Sequence, residues 1–206
     1  MLVTFIRGGC PMTASKIKTA ALRLFAQNGY DAAPLSEIAK EVGIKTPSLY
    51  AHFPSKDDLF RAVFEDVLSE QQQRIKALIN EIRDDSVHDQ LFGIWQDTCR
   101  TYLLSEINMT FIKRAMLFPP ITLQEELRAR FTASENTLST ALTHIFAEGM
   151  RQGIIRSEQI TDLIASYYCM LDGAFIQQFY YLPDHFEQRM HSVWRMYWQG
   201  ISTIQP

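Results

Sequence analysis

"GIKTPSLYAHFPSK", residues 43–56, crowds a glycine, two prolines, a tyrosine, a histidine and two lysines into fourteen positions. It is too short and too polar for a core segment, and its punctuation sets the local fold. Upstream, Leu35, Ile38, Ala39 and Val42 recur at helical spacing. This predicts a short helix closed by Gly43, a residue suited to a left-handed turn that a Cβ would penalise. Downstream, the Thr46 hydroxyl is placed to cap a second short helix, with Pro47 at its first helical position. Ala39 is small where the two helices cross, and Ile44 and Leu49 supply core contacts on either side of the turn. Two short helices joined in this way make a helix-turn-helix. The same spacing equally describes an αα-hairpin with no ligand.

The outward face of the second helix separates those two readings. If Leu49 points inward, Lys45, Thr46, Ser48, Tyr50 and His52 are left to solvent. All of them can donate hydrogen bonds to phosphates and none is acidic. Helix-turn-helix proteins set the start of their second helix against base edges in the major groove, and a Thr/Pro/Ser start is compact enough for that approach. Lys56 lies at the start of the next helix, where free N–H groups and the helix dipole also favour a phosphate. His52 fits a packed, hydrogen-bonded histidine as well as a DNA contact.

The string "LSEIAKEVGIKTPSLYAHFPSKDDLF", preceded by "ALRLFAQNGYDAA", resembles the DNA-binding domain of TetR/AcrR-type transcriptional regulators over about residues 14–62. Ile38-Ala39, Gly43-Ile44, Leu49-Tyr50, His52-Phe53, Lys56 and Leu59 keep the family's spacing throughout. The resemblance implies a homodimer that binds a palindromic operator, usually as a repressor, and lets go when a small molecule enters the C-terminal domain. Carried over position by position, it implies that Leu35, Ser36, Lys45, Thr46, Pro47, Ser48, Tyr50, His52 and Lys56 face DNA. Pro34 departs from the pattern, standing where the family commonly has Ser or Thr. A phosphate-binding hydroxyl is thereby lost, and Ser36 is the residue to take over its role.

Outward from this motif the spacing stays helical, predicting an all-α fold of about nine helices. Ile17, Ala20, Ala21, Leu24 and Phe25 form a helix that ends at Asn28-Gly29. Ser55 with Asp58 reads as a capping box for a long helix whose stripe runs from Leu59 to Ile82. About 27 residues at 1.5 Å each span roughly 40 Å, longer than one compact domain needs, so this helix joins two parts. Thr122 with Glu125 is read as the cap of one helix running to Gly149 or Gly153, and Asp184 with Glu187 as a weaker box after Pro183. The expected division is an arm at 1–12, a helix-turn-helix domain at 13–60, and an effector-binding and dimerisation domain at 61–206.

Composition narrows the function classes. Net charge is −3, with seven Lys/Arg against five Asp/Glu in residues 1–60 and thirteen against eighteen beyond. An acidic body with a mildly basic front permits a polyanion contact at that end. Cys10, Cys99 and Cys169 are odd in number and scattered, which fits reduced thiols in a cytoplasm rather than a disulfide framework. "MLVTFIRGGC" is a poor signal peptide, and Met12 is a second candidate start. No run is long enough for a membrane span. No phosphate loop, metal-ligand spacing or cofactor motif occurs, so an enzyme is the weaker reading. A DNA-binding activator or architectural factor without an effector is the nearer alternative.

The C-terminal helices are rich in aromatics. Trp95, Cys99, Tyr102, Phe111, Met116, Phe118, Phe146, Tyr168, Phe175 and Phe179 come from helices expected to surround a cavity for an apolar or aromatic effector. Side chains of this kind at helical spacing also describe a plain core. Asp172, an acid in an apolar helix, suits either a cationic ligand or a cap or interface hydrogen bond. "FEQRMHSVWRMYWQG" places Phe186, Met190, Val193, Trp194, Tyr197 and Trp198 on one face, while Gly173 permits close approach of a helix. The resemblance implies that the last two helices form the dimer interface; an internal core is the other use for that face.

Overall fold

In the computed structural model the described residues are 11–104 and 106–203. The expected arm lies outside them except for Pro11 and Met12, which open the first helix. The described residues form ten helices: α1 Pro11–Asn28, α2 Leu35–Val42, α3 Thr46–Tyr50, α4 Lys56–Glu81, α5 Val87–Leu104, α6 Glu106–Leu117, α7 Gln124–Ser134, α8 Asn136–Arg151, α9 Ile160–Gln177 and α10 Pro183–Ile201. No strand occurs among them, only an isolated bridge between Ile155 and Ser202. The helix expected from Thr122 to Gly149 is two. It is interrupted at Glu135, whose N–H turns back to the Thr132 carbonyl at 3.3 Å, three residues away.

The chain separates into two compact units, the first holding residues up to Ser69 with Ile107–Phe131, the second Glu70–Glu106 with the rest. This differs from the expected boundary at residue 60. The division falls inside α4, and most of α6 and α7 joins the N-terminal helices. The physical reason is aromatic. Phe111 packs within 5.2 Å of Phe60 and 6.4 Å of both Phe25 and Phe64, ring centre to ring centre. The same unit fully buries Ile17, Ile38, Leu49, Leu59 and Leu127. Polar ties follow: Arg114 Nη2 donates to the Gln27 carbonyl at 2.9 Å, and Arg61 Nε to Glu126 Oε2 at 2.8 Å.

The second unit is built on α5, which packs against α8, α9 and α10. Its centre holds Trp95, Phe146, Tyr167 and Phe186, each at most 2% exposed. The polar tips of the large rings find partners, as burial requires: Tyr167 Oη donates to the Leu91 carbonyl at 2.7 Å and Trp95 Nε1 to that of Met190 at 3.3 Å. Gly149 lets α8 approach closely, since a Cβ there would fall 2.6 Å from Ile155 Cδ1 and 2.9 Å from Val87 Cγ1. Ser86 and Asp89 form a capping box ahead of α5, at 3.1 Å from Asp89 N–H to Ser86 Oγ. The sequence pattern Ser-x-x-Asp signals this box.

Because Phe111 belongs to the first unit's core, truncating it removes a central ring rather than a ligand contact. Phe111→Ala is expected to cost about 3–5 kcal/mol, read as a lowered denaturation midpoint in urea with no ligand present.

Candidate nucleic-acid interface

Helix α3 has only five residues, too few to hold together without tertiary support. Two features support it. Gly43 sits at φ 76°, ψ 28°, in the left-handed region. There the Ile44 N–H reaches the Ala39 carbonyl at 3.0 Å and the Gly43 N–H that of Lys40 at 3.1 Å. These two bonds are those of a Schellman motif, which satisfies the end of α2 and turns the chain. Leu49 is then driven inward to zero exposure.

With Leu49 fixed, Lys45, Pro47, Ser48 and Tyr50 are exposed, and Thr46 and His52 are partly so. The N-cap of α3 is Lys45 rather than Thr46, with no side-chain bond. The Thr46 hydroxyl is therefore not spent on capping, which corrects the expectation. Lys45 makes no ion pair among the described residues. Ser36 is exposed beside Pro34, the uncapped start of α2. Leu35 is different: at 8% exposure its side chain belongs to the core, so only its backbone remains to face a partner.

Lys56 opens α4 as expected, but it is not free. Its Nζ donates to the Asp31 carbonyl at 3.2 Å and lies 4.5 Å above the Tyr30 ring, and burial lowers its pKa. The neighbouring Asp57 accepts hydrogen bonds from the Tyr30 hydroxyl and from Thr122 Oγ1, the latter at 3.1 Å. Burial, then the Asp57 bond, raises the Tyr30 hydroxyl far above the usual tyrosine range. Thr122 thus braces the base of Lys56 instead of capping α7. Ser55 does cap α4, its Oγ receiving the Asp58 N–H at 3.0 Å while donating to Asp58 Oδ2 at 2.7 Å.

The residues expected around a cavity divide among several places. Phe111 is in the first unit's core. Met116 lines a small hollow there with Pro119 and Leu127, and Phe118 is 76% exposed. In the second unit Trp95 and Phe146 are buried core. Trp95 and Cys99 also floor a groove of about 580 Å³ between α4, α5 and α10. Burial pushes the Cys99 thiol up to about 12, so it stays a protonated, unreactive thiol. Tyr102, Tyr168, Asp172, Phe175 and Phe179 do come together: the Tyr102 and Phe175 rings meet edge-on at 5.4 Å, as do Phe175 and Phe179 at 5.8 Å. Glu135, absent from the expected set, joins them, its backbone carbonyl accepting from Tyr168 Oη at 3.2 Å.

The dimer residues need correction too. Phe186, Met190 and Trp194 are 0%, 4% and 6% exposed within one protomer, so they have no surface left for a partner. Val193, Tyr197 and Trp198 pack half-buried on the same core. Gly173 alone keeps open space around it. The Asp184–Glu187 box is also absent, since α10 starts at Pro183 without a side-chain cap.

Comparison with known proteins agrees with this architecture. The family model for bacterial regulatory proteins of the tetR family matches residues 17–63. The HTH-type transcriptional repressor ComR of Escherichia coli (strain K12) is 47% identical over 45 residues, 22% of this chain and 21% of that protein. This stretch spans only about a fifth of ComR. The fatty acid metabolism regulator protein of Bacillus subtilis (strain 168) is 30% identical over 141 residues, 68% of this chain and 70% of that one. AibR, in a structure with isovaleryl coenzyme A and operator DNA, has the same fold at TM-score 0.70 and 20% identity, covering 89% of this chain and 97% of its own. The chain belongs to the tetR family of bacterial regulatory proteins.

The turn at Gly43 gives a direct test. A Cβ there meets nothing within 4 Å, so any loss on substitution comes from backbone conformation alone. Gly43→Ala is expected to cost about 1–2 kcal/mol, measured by urea unfolding. Gly43→Asn should recover part of it, because asparagine tolerates the left-handed region better.

Proposed function

We propose that the protein is a cytoplasmic, homodimeric transcriptional repressor that binds a palindromic operator through paired α3 helices and is released by a small, largely apolar effector. The observation that carries this is the face of α3: six hydrogen-bond donors or compact side chains from Lys45 to His52, no acid among them, presented by the buried Leu49. Lys45, Thr46 and Ser48 are the base-reading candidates, while Tyr50 and Lys56 anchor phosphates and set register. Lys56, held against Tyr30 and the Asp31 carbonyl, keeps two further N–H donors for a phosphate. Support for a ligand-gated repressor comes from ComR, named a repressor, from AibR, solved with an acyl coenzyme A and operator DNA, and from the Bacillus relative, named for fatty acid metabolism.

Dimerisation follows from the DNA geometry, since one helix-turn-helix covers a half-site and two must lie about 34 Å apart on one duplex face. With the aromatic stripe of α10 used internally, the outward faces of α9 and α10 are the surfaces for the partner. They present Ala165, Cys169 and Gly173 on one helix and Ser192, Met196 and Gly200 on the other. The effector acts by population shift: it binds one arrangement of the second unit better, and α4, common to both units, carries the change to the first. A differential affinity of a few kcal/mol moves such an equilibrium through its responsive range.

On DNA fragments flanking the protein's own gene, Lys56→Ala and Tyr50→Phe are expected to weaken binding on every sequence that binds. The lysine change should also reduce the salt slope by about one. Fluorescence anisotropy across a salt series measures both, and a Lys56→Ala protein altered only in sequence preference refutes the anchor role. For the dimer, Met196 is 63% exposed in the protomer. Met196→Glu should therefore leave the fold intact and give a monomer by light scattering after size exclusion.

A further inference from the structure

In the second unit, polar groups of α5, α9 and the start of α8 include a buried hydroxyl without the partner that such groups normally have. Thr98 on α5 is 6% exposed and its hydroxyl makes no hydrogen bond. One turn on, along the same face, lies the Tyr102 hydroxyl. Burial raises it beyond the usual tyrosine range, and the nearby charges of Asp172 and Arg74 act on it in opposite directions. The Tyr102 ring meets Phe175 at 5.4 Å, three residues along α9 from Asp172. Neither Asp172 nor Glu135 has a cationic partner. Burial raises both carboxyls above the ordinary carboxylate range, and the charge of Asp172 raises Glu135 further. Tyr168, on α9 with Asp172, shares a hydrogen bond with Ser139 Oγ at 2.9 Å and donates to the backbone carbonyl of Glu135 at 3.2 Å. Arg74 does not neutralise this group, because it is engaged in an ion pair with Asp97.

We propose that this cluster is the head-group end of the effector site, and that the effector is a lipophilic cation, an amine or quaternary ammonium with an apolar tail. Two uncompensated carboxylates attract a positive charge in a medium of reduced dielectric. The faces of Tyr102, Tyr168 and Phe175 add cation–π attraction. An ammonium bearing N–H groups also satisfies the orphan Thr98 oxygen as an acceptor. A fatty acid or acyl thioester presents the opposite head, which Asp172 and Glu135 repel. Asp172 is exposed and so stands where a cation enters. This inference rests on the ligand-gated reading above and narrows the chemistry of its effector.

A pair of probes matched in tail and opposite in charge tests it: decyltrimethylammonium and decanoate, titrated into the full-length dimer by calorimetry below their micelle concentrations. The ammonium is expected to bind at least about tenfold more tightly than decanoate. Asp172→Asn with Glu135→Gln should reverse or abolish that preference. Both substitutions nearly conserve volume, and circular dichroism confirms the fold. Thr98→Val serves as a second variant: it should raise the melting temperature by removing an unpartnered hydroxyl, and weaken binding of decylamine several-fold. Tighter binding of decanoate, or an ammonium affinity unchanged in the double variant, overturns the proposal. Operator release, followed in parallel by anisotropy, separates the two readings. If decanoate binds and releases the operator, the gated repressor stands and the cationic effector falls. If the ammonium binds through Asp172 without moving DNA affinity, the site stands and its gating role falls.

Discussion

The burial of Leu49 is the constraint from which the candidate interface follows. Successive residues of an α-helix point about 100° apart, so fixing one side chain inward fixes where the others point. In a five-residue helix there is no second inward residue to share the task. A polar residue at 49 would free α3 to rotate, and the arrangement of Lys45, Thr46, Ser48 and Tyr50 would be lost with it. Leu49 is buried in the same unit as Ile38, Leu59 and Phe60, and Phe111, from far along the chain, packs on Phe60. The unit that holds the helix-turn-helix thus owes part of its core to a residue outside that motif.

A second tier of support is polar. Lys56, Tyr30, Asp57 and Thr122 form one connected set in which each member fixes the next. An isolated lysine on a surface loses much rotamer freedom when it grips a phosphate. Resting on the Tyr30 ring and the Asp31 carbonyl, Lys56 has already given up part of that freedom. For the proposed phosphate contact, pre-organisation of this kind lowers the cost of binding. The neighbouring Asp57 is itself held by hydrogen bonds from Tyr30 and Thr122.

What the sequence disclosed and what it hid divide along a physical line. Features set by neighbours in the chain were legible: the turn at Gly43, the Ser55–Asp58 box, the inward Leu49 and the long α4. Each depends on backbone geometry or helical periodicity within a few residues. Contacts between distant segments were not legible. Phe111, Met116 and Phe118 share a composition with cavity residues, but only packing decides that one is core, one edges a hollow and one is exposed. Thr122 has the spacing of a cap and is claimed instead by Asp57, 65 positions earlier. Leu35 matched a DNA-facing position in pattern while its side chain was needed inside. For Glu135 no signal existed, since one acid in a polar run gives no hint that a helix interruption will turn its backbone toward Tyr168.

The aromatic stripe of α10 misled for a related reason. A face bearing Phe186, Met190 and Trp194 looks too apolar for one chain to hide, yet all three are buried in the protomer. Their depth reflects the width of the second unit: α10 covers α5 and α9 together, and broad side chains fill the space where three helices meet. A surface meant for a second copy has a different requirement. Before assembly it must remain soluble, which disfavours large exposed rings, and after assembly helices approach closely only where side chains are small. Ala165, Cys169, Gly173, Ser192 and Gly200 satisfy both conditions, with Met196 as the single long, adaptable side chain among them. For the proposed dimer, the face poorest in bulk is therefore the candidate surface, since the face richest in it is already core.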